Sequence, residues 1–355
     1  MTAAARSDGD RSGGPAAPVT QAMVARRAGV STQTVSNALN HPHLLNEATL
    51  TRVRGAMEEM GYRPHRAAQT LRTRSSKLIG YGVPPSHSGQ HTQVMDRFLR
   101  ALSATADEAG YRILLFAASP VPGSTDSYGE LLDSHSLDGF VLSETVRDDR
   151  RQAWLAERGI PFVAFGRRWA GEQIGDWVDV DGAAGTAAVI DHLVARGHQR
   201  IAFLGWPRGS GAGDDRAEGW QRAMERHGLP TDGLRLESID DPATAQHAVA
   251  PLFDRDSQVT AVVAASDLLA LGCYEALRAC GMEPGRDVAV SGFDDASFAT
   301  VLSPRLTSVA QPLEKIGKEC VRMLVSRMRE PERPAERRLL APALVPRGST
   351  CPLLV

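Results

Sequence analysis

Lysine is almost missing from this chain: Lys77, Lys315 and Lys318 are the only ones among 40 basic residues. None follows a Gly-rich turn, so there is no phosphate loop, and a nucleotide-dependent kinase has no support. The Gly-rich stretch GSGAG (209–213) continues as DDR and lacks the last glycine of a dinucleotide loop. It reads as a surface loop, which removes the usual dehydrogenase signature. Cysteine is scarce too, with Cys273, Cys280, Cys320 and Cys351 showing neither CxxC spacing nor a histidine at metal-ligand distance. They are expected to be reduced, mostly buried thiols of a cytoplasmic protein. His87 and His91 are four apart but sit in a Pro/Gly/Ser-rich loop, so no metal site is expected, and no cofactor. No serine stands on a nucleophile-elbow motif, which leaves hydrolysis without support. No apolar run approaches the ~18 residues of a membrane span. Met1–Pro18 is small and polar without an apolar signal core, so export is not expected.

What is present divides the chain by charge. With 355 residues, 42% of them apolar and 23% charged, the chain is long enough for two or three domains with full cores. From Met1 to Lys77, 11 basic residues face 5 acidic ones, a balance of +6; the other 29 basic and 37 acidic residues give −8, and the two sum to the overall −2. A basic head on an acidic body is the layout of a nucleic-acid-binding module joined to one that binds something else. Residues 1–18 are predicted to be a disordered tail.

The head is organised around TQAMVARRAGVSTQTVSNALN, residues 20–40. Thr20 is a good N-cap, with Met23, Val24 and Ala28 at helical spacing behind it. Two arginines and then Gly29 end that helix in the expected order. Val30 is the expected buried pivot of a short turn, and Ser31 caps a second helix whose inner stripe is Val35, Ala38 and Leu39. Two short helices joined this way make a helix-turn-helix, whose second helix enters the major groove. Thr32, Gln33, Ser36 and Asn37 form its outer face. Gln and Asn pair with the adenine edge, and a Thr methyl can meet a thymine methyl. Thr20, Ser31, Thr34 and Asn40 suit phosphate oxygens, which fix register.

The stretch from VARRAGVSTQTVSNALN through ATLTRVRGAMEEMGYRPHRAAQTL resembles, without a gap from Thr20 to Leu71, the headpiece of the LacI/GalR family of bacterial transcriptional repressors. The resemblance implies a third helix from about Glu47 to Met60, capped by Asn46 and ended by Gly61, and DNA contacts near Tyr62. It also implies a hinge helix at about Arg66 to Leu71 that forms on operator DNA, with Arg66 at the minor groove and Leu71 as the wedge. Such a wedge unstacks a base step at a cost of roughly a few kcal/mol, offset by better groove contacts. The chain departs from the family at Asn37, where Arg is usual, and at His65, where Asn is usual. The base read at Asn37 is therefore not carried over.

From Lys77 the pattern changes to alternating strands and helices. LIGYGVP, YRILLFAAS, DGFVLS, PFVAFGR, RIAFLGW, TAVVAAS and DVAVSGF are short apolar runs, separated by helical segments such as GTAAVIDHLVARGH and SDLLALGCYEALRACG. This alternation predicts parallel sheets covered by helices. The family resemblance adds that the body is similar to a periplasmic sugar-binding protein, with two lobes joined by three crossing strands. The expected fold is thus an N-terminal all-α helix-turn-helix headpiece (19–64) plus an α/β two-lobed periplasmic-binding-protein-like domain (77–350), with hinge and linker at 65–76. Lobe one is expected at about 77–178 and 312–341, lobe two at about 180–309 with the C-terminal segment. LVPRGS (344–349) coincides with an engineered protease site, but the family ends similarly, so it reads as native.

Ligands of such sheets bind beyond the carboxyl ends of the strands. Carboxylates and Arg forks there hold neutral polyols. Arg216, Asp267 and Asp294 supply that set, joined by Arg167 and His87 from the first lobe. Family members use the positions of Arg216 and Asp294 for the effector, and Asp267 stands beside another such position. As plain structure, Asp267 would be a helix cap and Asp294–Asp295 a turn. The expected function is a DNA-binding regulator, a repressor, whose hold on a palindromic operator is modulated by a small carbohydrate effector. The family forms dimers through its lobes, and the chain ends at Val355 without a leucine-heptad tail, so a homodimer is expected. The competing readings are a solute-binding protein with an incidental basic extension, and an α/β enzyme.

Overall fold

The computed structural model describes residues 19–62, 75–85, 92–134, 137–254 and 258–351. The chain forms two compact units, Met1–Ser76 and Lys77–Val355. The expected tail and hinge helix, with His65, Arg66 and Leu71, lie outside the described residues, as do His87 and His91.

In the first unit three helices, α1 (Gln21–Ala28), α2 (Thr32–Asn40) and α3 (Glu47–Glu59), each begin on a side-chain cap. Thr20, Ser31 and Asn46 accept the orphan amides of Met23, Thr34 and Thr49. Gly29, at φ 64°, closes α1 in the left-handed conformation that a side chain would resist. The core comprises Val24, Ala25, Ala28, Val35, Ala38, Val53 and Ala56, with Val30, Met60 and Tyr62 packed at its margin. Three expectations are corrected here. Met23 is 36% exposed because Ala25, two residues on, takes the inner position beside Val24. Leu39 and Val30 are half-buried and not enclosed.

The second unit contains two parallel sheets. The first has the order β11-β5-β4-β3-β1-β2, formed by β1 (Leu78–Val83), β2 (Arg112–Ala117), β3 (Gly139–Leu142), β4 (Phe162–Phe165), β5 (Asp176–Val180) and the returning β11 (Arg337–Leu340). The second has the order β7-β6-β8-β9, from β6 (Ile201–Gly205), β7 (Arg235–Glu237), β8 (Ala261–Ala264) and β9 (Ala289–Ser291). An antiparallel pair, β10 (Ser308–Ala310) with β12 (Ala343–Val345), completes the strands. The chain leaves the first sheet after β5, returns after β10 and leaves again after β11.

Helices cover both sheets. Along the first run α4 (Thr92–Glu108), α5 (Asp126–Ser134), α6 (Arg151–Glu157) and, after the return, a helix at Leu313–Arg329. The second carries α7 (Gly182–Val194), α8 (Ala212–Arg226), α9 (Pro242–Val249) and α10 (Asp267–Ala279), so the Leu313–Arg329 helix is α11. No helix among the described residues is long and apolar enough to cross a membrane. α7 and α8 pack closely because residue 219 is glycine: a Cβ there would fall 2.2 Å from the Ala183 carbonyl oxygen. That approach brings Asp215 and Arg216 against the start of α7.

Strands β5, β7, β10, β11 and β12 were not legible as apolar runs. β5 (DWVDV) is interrupted by aspartates, and β11 (RRLL) begins with arginines. The charge of Asp176 in β5 is paired within the protein. The Asp176 carboxylate is fully buried, 2.9 Å from both Arg327 and Arg333, and accepts the Glu336 amide at 2.6 Å. The cysteines divide evenly: Cys273 and Cys320 are buried, whereas Cys280 and Cys351 are exposed. The LVPRGS stretch is built into the fold. Arg347 reaches Asp295 at 2.6 Å and the Leu306 carbonyl at 2.8 Å.

Candidate functional site

The reading face lies on α2. Thr32 and Gln33 are exposed and Thr34, Ser36 and Asn37 half-buried. Gln33 Nε2 donates to Asn37 Oδ1 at 3.1 Å, one turn away, which pre-orients two amides on one face. Ser31 Oγ accepts the Thr34 amide at 3.1 Å and lies 2.9 Å from the Thr34 hydroxyl. Thr20 caps α1, and Asn40 Nδ2 donates to the Ser36 carbonyl at 2.6 Å. Tyr62 lies at the margin of the core, its amide bonded to the Met57 carbonyl at 2.9 Å. Arg66 and Leu71 are outside the described residues.

In the second unit the structure brings together residues far apart in sequence, at the carboxyl ends of the two sheets. Arg216, on α8, is 7% exposed. Its Nη1 donates to the Ala265 carbonyl and its Nη2 lies 3.6 Å from Asp294 Oδ1. Its guanidinium stacks 3.7 Å from the Phe293 ring centroid and 5.1 Å from that of Trp206. Asp294 also accepts from Gln311 Nε2 at 2.6 Å. Asp294 and Asp295 both have positive φ, 107° and 50°, an uncommon conformation for which aspartate is among the better suited side chains.

Asp267 supports that turn from beneath. Ser266, not Asp267, is the N-cap of α10. The Asp267 carboxylate is almost fully buried, taking the Ser308 hydroxyl at 2.6 Å and the Ala296 amide at 2.6 Å. Burial, and then the neighbouring Asp294, push its pKa well above the ordinary carboxylate range. Both oxygens are thus engaged by protein groups, and its place is below the turn that aims Asp294.

Arg167, following β4, lies 3.2 Å from Asp179 and 2.8 Å from Asp215. Asp179 is on the first sheet and Asp215 on a helix of the second, so this cluster spans the two sheets. The distances are those of ion pairs, but Arg167 Nε and Nη2 make no aligned hydrogen bond. The Trp169 ring lies 4.7 Å from the guanidinium and is fixed by its Nε1 donating to the Thr145 carbonyl at 3.0 Å. His87 is outside the described residues. Asp179, Asp215, Gln311, Trp169, Trp206 and Ser266 were not singled out from the sequence. The strand hiding Asp179 was missed, and Gln311 stood unremarked in LTSVAQP.

Burial raises Asp179 to about 6, against the opposing pull of Arg167, and raises Asp215 for the same reason. Because the folded value of Asp179 exceeds its ordinary one, proton uptake favours the folded state. The contribution is full below 3.8 and is lost as the pH rises through about 6. Asp179→Asn is therefore expected to flatten the melting-temperature profile over that window, as read by thermal denaturation of wild type and variant at matched ionic strength. An unchanged slope would contradict it.

Two surface grooves lie away from this constellation. One is lined by Asp96, Arg100 and Asp107 on α4, the other by Arg278, Arg286 and Cys351. Among the described residues no cluster of His, Cys, Asp and Glu could hold a metal ion.

A helix-turn-helix unit joined to paired parallel sheets with a polar constellation at their carboxyl ends defines a DNA-binding regulator with a periplasmic-binding-protein-like body. The family comparison agrees at both ends of the chain. Residues 23–65 match the family of bacterial regulatory proteins of the lacI type, and residues 190–350 match the periplasmic binding protein-like domain. The HTH-type transcriptional regulator CelR of Thermobifida fusca is 34% identical over 86% of this chain and 91% of its own length. A solved structure of a CelR–cellobiose complex superimposes with a TM-score of 0.71 at 31% identity, covering 93% of this chain and 99% of the other. The Lac repressor dimer bound to operator and the anti-inducer ONPF gives a TM-score of 0.83 at 26% identity, over 94% and 99%. The chain belongs to the LacI family and is a transcriptional regulator, not a solute-binding protein with an incidental basic extension.

Proposed function

We propose that this regulator is a repressor that holds a palindromic operator as a homodimer and whose hold changes when a small carbohydrate binds among Arg167, Arg216 and Asp294. One observation carries the reading. Arg forks, carboxylates and tryptophans converge at the carboxyl ends of the two sheets, in a chain whose first unit is a helix-turn-helix. Arginine and carboxylate pairs match the donor and acceptor pattern of sugar hydroxyls, and indole faces suit the apolar face of a pyranose. Two relatives support the two halves of the proposal: one is solved with cellobiose, the other as a dimer on operator with an anti-inducer. The chain is read as a binding protein of the cytoplasm, where its DNA target is, and not as an enzyme.

In this reading Thr32, Gln33, Ser36 and Asn37 face base edges, while Thr20, Ser31, Thr34 and Asn40 face phosphates. Tyr62, Arg66 and Leu71 belong to the path toward the minor groove at the operator centre. A dimer doubles the short site one recognition helix can read. Gln33→Ala is expected to lose about 1–3 kcal/mol of discrimination at one base pair per half-site, while affinity for unrelated DNA stays unchanged. Fluorescence anisotropy on an operator and its single-base variants, at one salt concentration, measures both. The function itself is tested with DNA from upstream of the protein's own gene, titrated with and without cellobiose, maltose and ribose. Binding no tighter than to scrambled DNA would refute it.

A further inference from the structure

The charges that converge in the cleft are arranged to reject anions, and we infer that the effector is an uncharged saccharide, not a phosphorylated or acidic one. The inference rests on the carbohydrate reading above and narrows it. The two cleft guanidiniums, Arg167 and Arg216, already face three carboxylates, Asp179, Asp215 and Asp294. A phosphate entering between them would meet compensated cations and an excess of like charge. Anion sites in proteins need the opposite, an uncompensated arginine fork or a free helix N-terminus.

The helix N-termini at these strand ends are unfavourable to anions as well. At the start of α7, Asp181 accepts the Ala184 amide at 2.8 Å and Asp215 accepts the Ala183 amide at 3.1 Å. The first turn of α8 carries Asp214 and Asp215, and Asp214 accepts the Gly209 amide at 2.7 Å. The start of α10 is capped by Ser266 and followed by the buried Asp267. At the starts of α7 and α10 the amides that would hold a phosphate are already engaged by protein side chains, and at the start of α8, which no side chain caps, two aspartates oppose an anion by charge.

Charge is compensated, but hydrogen-bonding capacity is not exhausted. Arg167 Nε and Nη2 are buried beside their carboxylates without an aligned acceptor. Hydroxyl oxygens can accept from such donors, and hydroxyl hydrogens can donate to Asp179, Asp215 and Asp294, with no net charge brought in. The arrangement satisfies a polyol and leaves an anion repelled.

The test uses the full-length protein and matched pairs of ligands: glucose with glucose 6-phosphate, ribose with ribose 5-phosphate, and cellobiose with cellobionate. Calorimetry and the rise in melting temperature report binding. The uncharged member of at least one pair is expected to bind, with its anionic partner weaker by about 100-fold, as expected when like charges are brought together in a site. Asp215→Asn takes one carboxylate from Arg167 and is expected to strengthen the anionic partner about tenfold. Asp179→Asn unmasks the same guanidinium from the other side and serves if the first variant does not fold. An anionic member that binds as tightly as its neutral partner overturns the inference and leaves the carbohydrate reading standing. If no saccharide of either charge binds, the carbohydrate reading fails and the inference falls with it.

Discussion

Arg216→Ala should lose the response to effector and, at the same time, about 3–5 kcal/mol of stability, the usual consequence of removing one partner from a buried charge pair. The residue is 7% exposed and touches groups from several elements. Its guanidinium donates to the Ala265 carbonyl at the end of β8, stacks on Phe293 and faces Asp294. Truncation would remove this donor from the Ala265 carbonyl and this guanidinium from beside Asp294, whose charge already acts on the buried Asp267. The sequence pointed to Arg216 as a ligand-facing fork. The structure adds that it is also a strut, so loss of response in this variant cannot be assigned to lost ligand contacts alone. Arg216→Lys separates the two roles. It keeps the charge, but its single ammonium cannot serve the carbonyl and the carboxylate in one plane. Urea denaturation should place it between wild type and Arg216→Ala; wild-type stability for the alanine variant would contradict the assignment.

The second large effect lies at Asp176, which touches no expected ligand. Its fully buried carboxylate is held by Arg327 and Arg333 and by the Glu336 amide. Arg327 lies in the last turn of α11 and Glu336 immediately precedes β11, so this one carboxylate fastens the outgoing strand β5 to the chain that returns beside it. Asp176→Ala would leave two guanidiniums without their buried counter-ion and is expected to cost about 3–5 kcal/mol. Arg327→Ala leaves Arg333 in place and should cost distinctly less. Chemical denaturation followed by far-ultraviolet circular dichroism gives both values, and equal losses would contradict a shared counter-ion.

Asp176 also shows where sequence reasoning stops. A strand is recognised by its apolar period, and DWVDV lacks one: its Asp176 is neutralised by arginines more than a hundred positions away, and its Asp179 by Arg167 across the preceding loop. Asp179 was lost with it, and so was its meeting with Arg167 and Asp215. The headpiece was legible for the opposite reason. Thr20, Ser31 and Asn46 act on amides three residues ahead, so caps and periodicity in one short stretch carry the whole argument. Met23 was misplaced because a helix of eight residues leaves the choice between neighbouring stripes to tertiary contacts. In the cleft, Arg216 and Asp294 were recognisable as members of a family pattern, and the structure brings them together. Asp267 was recognisable only as a residue beside such a position. Its engagement by Ser308 and Ala296 depends on the path of a distant strand.

The most direct test of the account compares wild type with Asp294→Asn in one titration of operator against effector. Asparagine is nearly isosteric, tolerates positive φ and can still accept from Gln311, so the fold should be kept. What it lacks is the charge that faces Arg216 and receives ligand hydroxyls. Fluorescence anisotropy on a labelled operator, at fixed salt and with cellobiose or whichever neutral saccharide moves the wild type, should give operator affinities within a few fold of each other without ligand. The wild type should then change its affinity as saccharide is added, and Asp294→Asn should not. A variant that responds with the wild-type midpoint would contradict the cleft, and a wild type indifferent to every saccharide would contradict the coupling.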